Sequence, residues 1–113
     1  MMDKVFITGG TGFIGKRLVG ALEKNNTSIT LLSKVYQHGF ETVVCDLKSD
    51  QVPCNSLSGI DTVFHLAGFS HDNRNDLKGE HLYRKINVDS TVQLANLAIK
   101  SGVKRFIFVS FMY

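Results

Sequence analysis

The sequence predicts an α/β fold, a doubly wound parallel sheet of about five strands in the order 3-2-1-4-5. Three observations carry that prediction. Short apolar runs of strand length alternate along the chain with longer segments of helical periodicity. A glycine-rich turn separates the first such run from the first helical segment. The chain has 113 residues, 43% of them hydrophobic, which is enough for one buried core and too little for two.

The run Lys4-Val5-Phe6-Ile7-Thr8, closed by Gly9-Gly10, is a buried strand by its length and its punctuation. From Gly12 to about Asn25 the apolar residues Phe13, Ile14, Leu18, Ala21 and Leu22 keep helical spacing, and Asn25-Asn26 stops the helix. Ser28 to Ser33 is a second strand and Glu41 to Cys45 a third. The stretch from Ser49 to Gly59 holds the only proline, Pro53, and is a loop with at most a short helical turn. Asp61 to Leu66 forms a fourth strand, followed by a polar loop from Ser70 to Asp76. A long helix from about Glu80 to Ser101 places Leu82, Ile86, Val92, Ala95 and Ile99 on a core stripe, and Gly102 ends it. Lys104 to Ser110 is a fifth strand. Strands this apolar, joined by crossover helices, require a parallel sheet covered on both faces, and right-handed crossovers give the stated order. Ligands of such sheets bind at the carboxyl ends of the strands where the winding reverses, so Gly9 to Gly15 and Ala67 to Ser70 form opposite lips of one crevice. Phe6, Phe64, Phe106 and Phe108 are assigned to the core, as is His65 in mid-strand.

Composition narrows the function. No run approaches the ~18 apolar residues of a spanning helix. Met1-Met2-Asp3-Lys4 leads straight into the first strand without an export signal. Cys45 and Cys54 share no metal or redox spacing, which predicts reduced thiols and a cytoplasmic location. His38, His71 and His81 share no ligand spacing, so no metal site is expected. A net charge of +3 is too mild and too scattered for a nucleic-acid surface, yet suits a phosphorylated small molecule.

The strongest local signal is Thr8-Gly9-Gly10-Thr11-Gly12-Phe13-Ile14-Gly15, set between strand and helix. Gly9 permits the tight turn, Gly12 lets backbone approach a pyrophosphate, and Gly15 allows the helix to pack closely on the sheet. Unpaired N–H groups at the helix start supply the anion site. A nucleoside-triphosphate loop is disfavoured, because Gly15-Lys16-Arg17 has no Ser or Thr after the lysine.

This spacing resembles that of the extended short-chain dehydrogenase/reductase family, the nucleotide-sugar epimerases and dehydratases with a Rossmann-type fold. Four further segments resemble the family in order: Asp46-Leu47, the run from Asp61 to Gly68 ending His65-Leu66-Ala67-Gly68, Asn87-Val88, and Val103 to Ser110. The resemblance implies that Gly9, Gly12, Phe13, Ile14 and Gly15 cradle a dinucleotide and that Asp46 and Leu47 meet its adenine. It likewise implies that Leu66, Ala67 and Gly68 line the ribose and pyrophosphate while Asn87 braces the fourth strand. NAD-specific members carry an acidic residue at the end of the second strand, where this chain has Ser33 and then Lys34. That departure favours NADP over NAD.

A second departure concerns catalysis. The family's Tyr-x-x-x-Lys acid/base pair has no counterpart here: neither Tyr36 nor Tyr83 has a lysine four residues on, and Tyr113 is the last residue. Phe111 stands where the family places a catalytic Ser or Thr. The expectation is therefore an incomplete dinucleotide-binding domain over residues 1–113, truncated after its fifth strand, lacking a substrate domain and inactive alone. It would be the cofactor-binding portion of a nucleotide-sugar epimerase or dehydratase, meeting its substrate only in a complete chain. The alternatives are a non-catalytic dinucleotide-binding sensor or interaction module and an NADP-dependent ketone reductase. No nucleic-acid or membrane partner is expected, and the apolar edge of the fifth strand predicts self-association.

Overall fold

A computed structural model describes residues 3–66 and 77–109 of the chain. The strands are β1 (Lys4–Thr8), β2 (Ser28–Ser33), β3 (Glu41–Val44), β4 (Thr62–His65) and β5 (Arg105–Phe108), with helices α1 (Phe13–Lys24) and α2 (Leu77–Ser101). They build one parallel sheet in the order β3-β2-β1-β4-β5, as predicted. β1 is central, pairing Lys4 with Ser28 on one side and Val5 with Thr62 on the other.

Alternation along β1 divides the core in two. Val5 and Ile7 join Val19 of α1, Leu31 and Leu66 on one face. Phe6 points oppositely, into a cluster with Val63, Leu94 and Ala98. Among the described residues, each face of the sheet is covered by one helix. The turn-rich segment between β3 and β4, expected to be only a connection, sends Val52, Leu57 and Ile60 into that second cluster, with Leu57 fully buried.

Asp61 ties the amino ends of three strands together. Its N–H donates to the Lys4 carbonyl at 2.8 Å, its Oδ2 accepts from the Lys4 N–H at 3.0 Å, and its carbonyl accepts from Lys104 and Arg105. The strand itself starts one residue later than predicted, at Thr62. α1 ends as Asn26 takes a left-handed φ of 56°, and α2 ends at Gly102 with φ 76° and a Val103 N–H to Ala98 carbonyl bond of 3.0 Å.

Four expectations are corrected. The buried face of α2 runs through Ser90, Leu94 and Ala98, whereas Val92 and Ile99 are 52% and 78% exposed and Ala95 is half-buried. Apolar size misled the phase, because the face turned to the sheet carries small and polar residues. In α1 the inward residues are Gly15, Leu18, Val19 and Leu22, while Phe13, Ile14 and Ala21 are exposed. Phe108 is 52% exposed, because β5 is an edge strand. The α2 helix also begins earlier than Glu80, at Leu77. The predicted stripe residues Leu82 and Ile86 fall where side chains are outside the described set, and so do the whole of the Ser70 to Asp76 loop and Ser110.

Candidate functional site

Helix α1 starts where β1 ends, and the turn between them is made of backbone. Gly9 has φ 75°, a conformation that side chains with a Cβ rarely adopt. Its carbonyl accepts the Gly12 N–H at 3.1 Å, which folds the turn back on itself. Gly15 lies so close beneath this turn that a Cβ there would sit 2.0 Å from the Gly9 oxygen. Its close approach is therefore to the turn rather than to the sheet. Gly10, which the motif reading passed over, is the residue packed on the sheet: a Cβ would meet Leu31 Cδ2 at 2.9 Å.

Gly12 is the N-cap of α1, so no side chain caps the first-turn N–H groups, and no acidic residue lies in that turn. Such groups need an acceptor, and an anion at the helix start provides one. The glycines let that anion come close. By both criteria the turn fits the pyrophosphate of a dinucleotide.

The turn opens on a crevice of about 730 Å³ at the carboxyl ends of β1, β2, β3 and β4. Of the residues predicted for the site, Gly9, Gly12, Ser33, Lys34, Asp46, Leu47, Leu66 and Asn87 are brought together along its walls. Gly15 lies under the turn instead. Phe13 and Ile14 do not line the crevice: Phe13 is 75% exposed with the Arg17 guanidinium 4.5 Å above its ring. What these three residues can offer is backbone N–H. Ala67 and Gly68 lie outside the described residues.

The far wall is held by side-chain bonds. Ser33 Oγ accepts from the Val35 N–H and from Gln37 Nε2, each at 3.3 Å. Asp46 Oδ1 accepts from the Lys48 N–H at 2.9 Å, and the Asp46 N–H donates to Asp50 Oδ2 at 2.9 Å. Cys45 lines the same wall as a buried free thiol. Burial, and then the charges of Asp50 and Asp46, push that thiol above its usual range. Lys16, Gln37, Lys48 and Ser90 also reach the crevice and were missed from sequence. Lys48 carried one legible signal, its place two residues after an Asp that caps a turn. Nothing local marked the others.

Among the described residues lining the crevice there are three lysines, Lys16, Lys34 and Lys48, against one carboxylate, Asp46. The local field favours an anionic ligand.

A crevice at the point where the strand order reverses, entered by an uncapped helix start over a glycine turn, defines an NAD-binding Rossmann fold. The model of the NAD dependent epimerase/dehydratase family matches residues 5–111, and the chain belongs to that family. It is 35% identical over 121 residues to a UDP-glucose 4-epimerase of Vibrio cholerae, covering 97% of this chain and 35% of that protein. It is 29% identical over 122 residues to a 3-beta-hydroxysteroid dehydrogenase of Mycolicibacterium neoaurum, covering 96% and 32% respectively. Among solved structures, MoeE5 in complex with UDP-glucuronic acid and NAD superposes with a TM-score of 0.80 at 28% identity, over 96% of this chain and 36% of that one. The chain spans about a third of the length of the relatives it matches. Among the described residues no helix is long and apolar enough to cross a membrane.

Proposed function

We propose that this chain is the dinucleotide-binding portion of a nucleotide-sugar epimerase or dehydratase, with NADP preferred over NAD. The uncapped glycine turn carries the dinucleotide half of this reading. The sugar half is supported by the Vibrio cholerae epimerase and by MoeE5, solved with a nucleotide-sugar and NAD. The cofactor, when bound, supplies a nicotinamide that accepts and returns hydride. The chain's own residues bind and orient it: first-turn N–H groups for the pyrophosphate, Asp46 and Leu47 for adenine, Leu66 and Asn87 for the opposite wall. The acid/base Tyr-x-x-x-Lys pair is absent from these 113 residues, so the chain alone binds without turnover, in the cytoplasm.

The NADP preference rests on Ser33 and Lys34 standing where an acidic residue would hold a ribose 2′-hydroxyl. A cation there suits a 2′-phosphate. Fluorescence titration with NADPH and separately with NADH tests both parts. Saturable binding with tighter NADPH is expected. Tighter NADH would sink the preference, and no binding of either by a folded chain would sink the function. A ketone-reductase reading is favoured by the hydroxysteroid dehydrogenase relative, and binding of a steroid ketone rather than a nucleotide-sugar by the complete enzyme would select it.

A further inference from the structure

His65 is fully buried at the carboxyl end of β4, one residue before Leu66 of the crevice wall. Its Nδ1 lies 2.7 Å from Thr8 Oγ1, on the strand end that opens into the Gly9 turn. Its Nε2 lies 3.0 Å from Thr91 Oγ1 on α2. Phe108 stacks on the ring at 5.5 Å and Phe106 tilts against it at 6.3 Å. Among the described residues, the groups facing the imidazole from β1, α2 and β5 are two hydroxyls and two aromatic rings.

A neutral imidazole has one N–H and one bare nitrogen, and the hydroxyls must match that polarity. Thr91 decides the match. Its hydroxyl lies 2.7 Å from the backbone carbonyl of Asn87, one turn earlier in α2, and a carbonyl only accepts. With its proton given to Asn87, Thr91 Oγ1 accepts from His65, which puts the imidazole proton on Nε2. Nδ1 is then bare and accepts the Thr8 hydroxyl proton. Thr8 Oγ1 in turn accepts the Leu66 N–H at 3.1 Å, a donor it shares with the Thr8 backbone carbonyl, also at 3.1 Å.

We propose that His65 is a positioning residue, held as the Nε2–H tautomer in a directed relay from Leu66 N–H through Thr8, His65 and Thr91 to the Asn87 carbonyl. The relay joins three elements that each present a neighbour to the crevice: Gly9 beside Thr8, Leu66 beside His65, and Asn87 one turn from Thr91. It sets the separation of the glycine turn from the α2 wall. Its use in holding a dinucleotide rests on the function proposed above; the tautomer does not.

The test uses the 113-residue chain labelled with ¹⁵N. Long-range ¹H–¹⁵N correlations of the imidazole should show a single neutral tautomer protonated at Nε2; an Nδ1–H tautomer or a mixture would overturn the relay. Thr91→Val removes the acceptor while keeping the side-chain shape. It should scramble the tautomer and weaken NADPH and NADH binding roughly tenfold, the factor that about 1.4 kcal/mol represents. Thr91→Ser, which retains the hydroxyl, should restore both readouts. A Thr91→Val chain with wild-type tautomer and affinity would overturn the proposal. If that variant does not fold, Thr91→Ser decides, because a folded Thr91→Ser chain that loses the Nε2–H tautomer contradicts the relay. Wild-type chain that binds neither dinucleotide would remove the proposed function alone, since the tautomer is read without ligand.

Discussion

The two sides of the crevice are made of different materials. At the end of β1 the wall is backbone: Gly9 in a left-handed turn, Gly12 as a cap without a side chain, Gly15 pressed under the Gly9 carbonyl. At the ends of β2 and β3 it is side chain: Ser33, Lys34, Gln37, Asp46 and Lys48. The backbone wall resists substitution at Gly9, through its left-handed φ, and at Gly15, through the close Gly9 carbonyl. The side-chain wall can change one residue at a time without disturbing the turn. In the function proposed above, capacity to bind and choice of cofactor would be separated in space.

Gly15→Ala attacks the first wall and should have the largest effect. A Cβ 2.0 Å from the Gly9 oxygen forces the helix start away from the turn, since backbone cannot swing aside as a side chain can. We expect a loss of about 3 kcal/mol or more in urea unfolding and loss of measurable dinucleotide binding. Wild-type stability would show that the turn is looser than described.

Acid should act between the walls, on His65. Burial lowers its pKa from 6.5 to about 4, so the folded chain favours the neutral ring. Because the folded pKa is the lower one, this contribution is complete above pH 6.5 and is lost as pH falls towards 4. About 3 kcal/mol should disappear over that window in denaturant unfolding. His65→Asn should flatten that part of the profile. An unchanged slope in the variant would contradict the assignment.

Lys34→Ala probes the side-chain wall. NADPH affinity should fall by about tenfold, less at high salt, while NADH affinity stays within about twofold. Equal losses for both would place Lys34 on the common part of the ligand. Gly10→Ala should be milder than Gly15→Ala, about 1 kcal/mol by thermal or urea unfolding, because the atom it meets is the tip of Leu31 and can move. If the two alanine variants were equally damaging, the distinction between a turn contact and a sheet contact would fail.

Sheet order and the position of the crevice were legible because they follow from local patterns: apolar runs, a glycine turn, and the handedness of crossovers. The helix faces were less so. In α2 the inward residues Ser90 and Thr91 are polar because they face the site and His65, so hydrophobic spacing pointed to Val92 and Ile99 instead. Gln37 and Ser90 reach the crevice only through folding, and nothing in their neighbourhood announces it. The partners of His65 lie 57 and 26 residues away in the chain, beyond any local pattern. The residue type was visible; its bonds were not.

The central place of β1 has a consequence for how the chain comes into being. β1 is made first, and β2 can pair with it early, yet its other edge waits for Thr62 to His65. At a synthesis rate of 5–20 residues per second, that edge is open for roughly 3–10 s. During this interval Phe6 and Ile7, fully buried in the finished fold, have one side of their strand unpaired. Closing so long a loop is slow in parallel sheets generally, so the order of translation, more than any single contact, sets when this molecule is most exposed to mispairing.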